Sequence, residues 1–367
     1  VEQGGASRIA ASCAHYEAPD RCGGCQWQHV SIDAQRDAKR TMLRDAFQRI
    51  AKREIPLPPI HAGEPWRYRR SLTLAMRKRA NGEWYAGLRA YDDPEAVFAL
   101  DDCLITAEPV LVAWREVMAA AEHLPDEPRL RGTLRVIHDR AHFVLEGGKE
   151  WPELSAFLDA VPNIAAVWWQ ADGKRRRMVA DRRPANEPGA SFAQVNPEMA
   201  ERLHEAVVRR VMAHAPQKVV DAFSGAGDTA AAIAAQGVCV VAIEADEDAT
   251  AYAASRFTQQ GGAAAPAHAA AGGSRAIAAR VEDVLPAHLP ADVVILNPPR
   301  SGVDAKVTAA LLKAPPKAII YVSCDPATLA RDVSRLPGWT VQHIECYDLF
   351  PQTAHVETLC ELRPETI

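Results

Sequence analysis

The chain has 367 residues, 48% hydrophobic and 24% charged, with Lys+Arg 42 against Asp+Glu 47 and a net charge of -5. That length holds two or three cores; the negative balance excludes a nucleic-acid binder held by overall charge and leaves only local basic patches, and no apolar run reaches the ~20 residues of a membrane span. Eight cysteines with no secretory leader read as metal-binding or catalytic thiols of a reducing, cytoplasmic compartment, and the start at Val1 rather than Met points to a trimmed or partial chain.

The first motif in chain order is Cys13 followed by Cys22-Gly23-Gly24-Cys25, in a segment too rich in small and polar residues to bury a core. Thiolates at this spacing grip one metal centre while the glycines let the backbone turn around it. The predicted fourth ligand is Cys103, in a predicted strand over residues 100–105; an iron–sulfur cluster and a tetrahedral zinc both suit three clustered cysteines plus one distant one. Residues 31–50 predict an amphipathic helix capped by Ser31, with Met42, Leu43, Ala46, Phe47 and Ile50 on one face, and Pro56 to Pro59 form a stiff connector. From Trp66 the chain turns basic and aromatic through Arg67, Arg69 and Arg70, then predicts a strand at 72–76 and a hairpin at Asn81-Gly82. Strands follow at 134–138, 142–146 and 166–169, and Lys174 to Arg177 add a second basic cluster. Arginines beside aromatic rings hold phosphates and stack on unpaired bases, although a charge run is more often a solvated face.

Asn186-Glu187-Pro188-Gly189 marks a boundary, after which the pattern becomes βαβ. A strand at 218–222 enters the glycine-rich turn Phe223-Ser224-Gly225-Ala226-Gly227-Asp228, where missing side chains allow close approach of a ligand. Glu244 ends the next strand about 20 residues on, where a ribose-hydroxyl acceptor belongs; a nicotinamide cofactor fits that pair of features as well. An Ala/Gly insert spans 261–274, and Asp283 offers a carboxylate to an adenine or its ribose. Buried-type strands then end in Asn297-Pro298-Pro299-Arg300 and in Ser323-Cys324-Asp325-Pro326, placing a cysteine at the carboxyl edge of an open sheet, where ligands bind. Alone, Cys324 reads equally as a packed apolar residue. Glu357 opens an apolar final strand, which by itself is a solvated end and near Cys324 a base.

Five stretches stand in order: F-x-Q-x-N-P from Phe192, D-x-F-x-G-x-G from Asp221, N-P-P-R-S-G from Asn297, Y-V-S-C-D-P-A-T-L-A-R-D from Tyr321 and F-P-Q-T-A-H-V-E from Phe350. Together they resemble the S-adenosylmethionine-dependent RNA 5-methyluridine methyltransferases. The resemblance implies an α/β fold: a Rossmann-like methyltransferase domain over 185–367, preceded by a smaller α+β domain over 1–184 that carries an iron–sulfur cluster and contacts RNA. It makes Cys324 the nucleophile and Glu357 the general base. Gln194, Phe223, Asp228, Glu244, Asp283 and Asn297 match the methyl-donor pocket, and Cys13, Cys22, Cys25 and Cys103 match ligands of a 4Fe–4S cluster. Because the ribosomal branch carries that cluster, a uridine of 23S ribosomal RNA is expected over transfer RNA, with Arg67, Arg69 and Arg70 on flanking phosphates and Arg300 on the uracil. The expected protein is a monomer that acts on RNA and meets no membrane.

Three departures from the pattern stand out. Asn297 replaces a usual aspartate; Asp325 replaces an asparagine and is expected to raise the thiol pKa of Cys324; residues 1–12 match the tail of a small RNA-binding β-barrel. Rival readings are a transfer-RNA uridine methyltransferase, an adenine amino-methyltransferase, against which Arg300 and Cys324 count, and a catalytically silent RNA-binding protein.

Overall fold

Helix α1 (Ile32–Ala46) is amphipathic, but its buried stripe is Gln35, Lys39 and Leu43, while Met42 and Ile50 are 40% and 41% exposed. The predicted apolar face is therefore rotated, because the two polar side chains find partners far along the chain. The helix widens into a π-turn at Phe47–Ala51, and Ser31 makes no side-chain cap. These features belong to a computed structural model that describes residues 5–137, 139–183, 194–260 and 273–365. The boundary signal at 186–189, Phe192 and nearly all of the Ala/Gly insert lie outside the described residues.

The remaining elements are β1 (Ile60–Ala62), β2 (Ser71–Lys78), β3 (Trp84–Arg89), β4 (Val97–Ala99), α2 (Glu108–Ala119), β5 (Arg129–Ile137), β6 (Arg140–Glu146), α3 (Leu154–Ala160), β7 (Ile164–Gln170) and β8 (Arg177–Asp181). After them come α4 (Pro197–Met212), β9 (Lys218–Ala222), α5 (Asp228–Ala234), β10 (Cys239–Glu244), α6 (Glu247–Gln260), β11 (Arg275–Ala278) and α7 (Val281–His288). The chain closes with β12 (Val293–Leu296), α8 (Ala305–Lys313), β13 (Ala318–Ser323), α9 (Pro326–Ser334), β14 (Trp339–Asp348) and β15 (Glu357–Pro364).

Strands β2 to β8 form a seven-stranded sheet in the order β4-β3-β2-β5-β6-β7-β8. Strict alternation buries Leu72, Leu74 and Met76 of β2 against Trp114 and Val117 of α2, as a sheet covered on one face requires. The β2–β3 hairpin turns at Asn81-Gly82, with Gly82 at φ +86°. The eight-stranded sheet runs β1-β14-β15-β13-β12-β9-β10-β11. Its inner strands β9, β10, β12 and β13 are parallel and almost wholly buried, with separate apolar cores on the two faces. The strand order reverses between β9 and β12, which puts a ligand crevice at their carboxyl ends. Residues of the first half enter this second sheet: β1 pairs parallel with β14, and α1 packs on α9 and β14.

The loop after β12 is held from below. Asp332 of α9 is fully buried and accepts from Val303 N–H (2.9 Å), Tyr321 OH (2.7 Å) and the Arg331 guanidinium (2.7 Å), while Arg331 also donates to the Ser301 carbonyl at 2.8 Å. Gly302 passes over this hub at φ +75°, and a Cβ there would lie 2.3 Å from Asp332 Oδ2 and from Thr328 Cγ2. Gly302→Ala is expected to destabilise the protein by about 1–3 kcal/mol from the left-handed backbone alone; an unchanged melting temperature in a thermal scan would contradict this packing.

Candidate active site

A cleft of about 2610 Å³ opens at the carboxyl edge of β9, β10, β12 and β13. An ordinary ligand pocket occupies roughly 300–1,000 Å³, so this one has room for a donor and a nucleotide side by side. Gln194, Phe223, Asp228, Glu244, Asn297, Arg300, Cys324 and Glu357 all line it. Its far wall is the seven-stranded sheet, through Ile137, Trp168, Gln170, Arg176 and Met178.

One half of the cleft is shaped by the turn after β9. Phe223 sits at φ 64°, an unusual conformation for an aromatic residue, and Gly227 at φ 76° has no room for a Cβ, which would meet the Ala253 Cβ at 2.7 Å. The Glu244 carboxylate accepts from Gly225 N–H (3.0 Å) and Asp246 N–H (2.9 Å), so it braces the turn from the end of β10. Asp228 pairs with Arg256, whose guanidinium also lies over the Tyr252 ring at 5.7 Å. Asn297 is exposed, with its N–H bonded to the Ala222 carbonyl at 3.3 Å. Of the acidic pair in α7, Glu282 lines the cleft and Asp283 does not.

Sequence reasoning passed over Asp221. It is 2% exposed, its Oδ2 has no hydrogen-bond partner among the described residues, and it lines the cleft. Burial first, then the nearby Asp228 and Glu244 carboxylates, push it up to about 7. A carboxylate inside an apolar strand is the signal that would have found it.

The other half of the cleft carries the thiol. β13 ends at Ser323, and Ser323 pairs with Thr358 of the antiparallel β15, so Cys324 and Glu357 come next on the two strands, at one edge of the sheet. Asp325 Oδ1 accepts from Thr328 N–H at 2.7 Å and caps α9. Cys324 is half-buried, and burial, then the Glu357 charge, raise its pKa, while the Arg300 guanidinium lowers it. The raising carboxylate is thus Glu357 and not the expected Asp325, whose charge is spent on the helix cap. Glu357 is 7% exposed; burial lifts it to about 7 against the opposing pull of Arg300. His355 also lines the cleft, and burial, then Arg300, hold it below its usual range.

Far from this thiol, Cys13, Cys22, Cys25 and Cys103 share one neighbourhood: burial pushes Cys25 up to about 12, with Cys103, Cys22 and Cys13 adding repulsion. Cys103 lies in a turn rather than the predicted strand, packed with Cys25, Tyr68 and Ile105. No group of three or more His, Cys, Asp or Glu closes around a single ion among the described residues. Arg67 forks onto Asp102 (2.7 and 2.8 Å) and donates to the Cys103 carbonyl, Arg69 Nε bonds the Ser71 carbonyl, and Arg70 lies 3.6 Å from Asp139. None of the three lines the cleft, although Arg70 N–H donates to the Val195 carbonyl beside Gln194.

Known proteins match this architecture end to end. The model of the tRNA (uracil-5-)-methyltransferase family covers residues 174–363. An uncharacterized RNA methyltransferase of Gloeobacter violaceus is 31% identical, spanning 99% of this chain and 84% of its own length. One of Halalkalibacterium halodurans is 29% identical over 96% of this chain and 85% of its own. In fold, the chain is similar to the Pyrococcus abyssi tRNA (uracil-54, C5)-methyltransferase in complex with S-adenosyl-L-homocysteine, with a TM-score of 0.71 and 21% identity, covering 98% of this chain and 86% of that one. No described helix is long and apolar enough to cross a membrane. The chain belongs to the tRNA (uracil-5-)-methyltransferase family and is an S-adenosylmethionine-dependent RNA methyltransferase.

Proposed function

We propose that this enzyme methylates C5 of a uridine in large-subunit ribosomal RNA through a covalent adduct on Cys324. The observation that carries the reading is the placement of Cys324, just past the end of β13, beside Glu357 at the start of β15, in one cleft with the glycine-rich turn. C5 of uracil is a weak nucleophile. Cys324 loses its proton to solvent and its thiolate adds to C6; the displaced C5=C6 pair becomes an enolate, which Arg300 can stabilise. C5 then attacks the methyl group of the sulfonium, and S-adenosylhomocysteine leaves with the bonding pair. Glu357 takes the C5 proton, the C5=C6 bond re-forms, and the thiolate is expelled. The uridine has to be unstacked from its helix to reach this depth.

The donor lies in the half of the cleft formed by Gln194, Phe223, Asp228, Glu244 and Asn297, with Glu282 rather than its neighbour Asp283 beside it. Asp221 contributes a buried carboxyl with an unpartnered Oδ2 to that half, ready to accept a hydrogen bond from the donor. Asp221→Asn is expected to weaken S-adenosylmethionine binding about tenfold or more in calorimetry, as loss of a charge-assisted contact does. An unchanged affinity would leave Asp221 with a purely structural role.

A first-half domain that carries a cluster and contacts RNA completes the proposal. The resemblance assigns Cys13, Cys22, Cys25 and Cys103 to a 4Fe–4S cluster, and what supports it here is that the four share one neighbourhood, with Cys25 buried and the other three half-buried. Anaerobically purified protein is expected to hold about four iron and four sulfide per chain; zinc in their place would refute the cluster and leave the methyl transfer standing. The cluster favours ribosomal over transfer RNA by resemblance. The deciding assay offers protein-free 23S fragments and unmodified transfer RNA at moderate salt, with Arg69 and Arg70 mutated in parallel. Methyl groups appearing only on transfer RNA would overturn the ribosomal assignment.

A further inference from the structure

The loop that delivers Glu357 runs from the end of β14 at Asp348 to the start of β15, and its backbone is fastened almost entirely by distant residues. The Leu349 carbonyl accepts from Asn196 Nδ2 (3.2 Å), that of Phe350 from Lys39 Nζ (3.0 Å), that of Pro351 from Tyr68 OH (3.1 Å) and that of Gln352 from Trp27 N–H (3.0 Å). Gln352, at φ 69° and 4% exposed, meets Gln35 twice: its N–H donates to Gln35 Oε1 (3.0 Å), and its Oε1 accepts from Gln35 Nε2 (2.9 Å). Lys39 is fully buried and bonds Asp348 Oδ1 at 2.5 Å. Four successive carbonyls therefore each find a donor, three of them on residues 27–68. Beyond Gln352 the loop folds on itself, Thr353 Oγ1 donating to the Phe350 carbonyl (2.8 Å) and accepting from His355 N–H (3.2 Å).

Cys324 is anchored differently. Its turn is set by β13, by Ser323 Oγ on Asp325 N–H (3.2 Å) and by the Asp325 cap, with no donor among the described residues of the first seventy. We propose that Gln35, with Lys39 and Tyr68, are positioning residues that hold the Phe350–Glu357 loop so that the Glu357 carboxyl faces C5, without fixing the nucleophile. None of the three lines the cleft, so they act through the loop. The first half thereby sets the release step of the reaction while the second half sets adduct formation. This role rests on the covalent mechanism proposed above.

The test separates the two steps. RNA containing 5-fluorouridine requires Cys324 attack and methyl transfer but presents no C5 proton, so its adduct reports the steps before proton removal; release of ordinary uridine RNA reports the base. Gln35→Met keeps side-chain volume and removes the paired amides, and Tyr68→Phe removes a single hydroxyl donor. In the full chain, Gln35→Met is expected to form the 5-fluorouridine adduct within about threefold of the wild-type rate and to slow release about tenfold, so that adduct accumulates on ordinary RNA; Tyr68→Phe moves the same way by less. A parallel fall of both rates, tracking a lowered melting temperature, would make the tie merely structural and overturn the proposal, as would unchanged release in both variants. If Gln35→Met does not fold, Tyr68→Phe decides. A wild-type protein that forms no adduct with either RNA would instead bring down the covalent mechanism and this role with it.

Discussion

Cys324→Ala is expected to lose methyl transfer by at least about 10⁴-fold and to form no denaturation-resistant adduct with 5-fluorouridine RNA and S-adenosylmethionine. The size follows from the chemistry: without addition at C6, no electron density reaches C5, and among the described residues no other cysteine lines the cleft. Cys346 and Cys360 are fully buried in β14 and β15, and burial raises both thiols to about 12, so neither substitutes. Gel mobility of the denatured protein with labelled RNA reads the adduct, and retention of full turnover by Cys324→Ala would end the mechanism.

Glu357→Gln carries the second large effect, a slowing of release by about 10²–10⁴-fold with adduct accumulating on ordinary uridine RNA. The pH dependence supplies a signed check. Glu357 acts in its deprotonated form, and burial lifts it to about 7, so release in the wild type rises as pH climbs through about 7 and levels off above it. The glutamine variant loses that limb. The Glu357 charge also raises Cys324, so its removal favours the thiolate, and the 5-fluorouridine adduct should form at lower pH in Glu357→Gln than in the wild type. An identical pH profile for adduct formation in both proteins would show that the Glu357 charge does not reach Cys324, and a release limb that persists in the glutamine variant would assign the proton transfer elsewhere.

Much of this site was legible because its parts are short and local. Four β-formers stopped by Cys324-Asp325-Pro326, and a strand running into Phe223-Ser224-Gly225-Ala226-Gly227, each declare a strand end within ten residues, and the structure has both. The hairpin at Asn81-Gly82 is of the same kind. What escaped depends on partners remote in sequence. Hydrophobic periodicity placed Met42 and Ile50 inside, because it has no means of seeing that Gln352 and Asp348 satisfy Gln35 and Lys39. Arg67 reads as a free cation until Asp102 closes on it. Cys103 reads as a strand residue because Leu104 and Ile105 follow it, yet the chain turns there. The three residues of β1 are too few to make any pattern.

That small strand also orders events during synthesis. Ile60 pairs with Cys346 at the rim of the eight-stranded sheet, so the ribosome releases the rim strand long before the strand it protects, and β1 waits without its partner until β14 has emerged. A gene fragment encoding only the second half would leave the edge of β14 open permanently and lack Lys39 beneath Asp348. Such a fragment should collect in inclusion bodies, and co-expressing residues 1–64 as a separate chain should return part of it to solution.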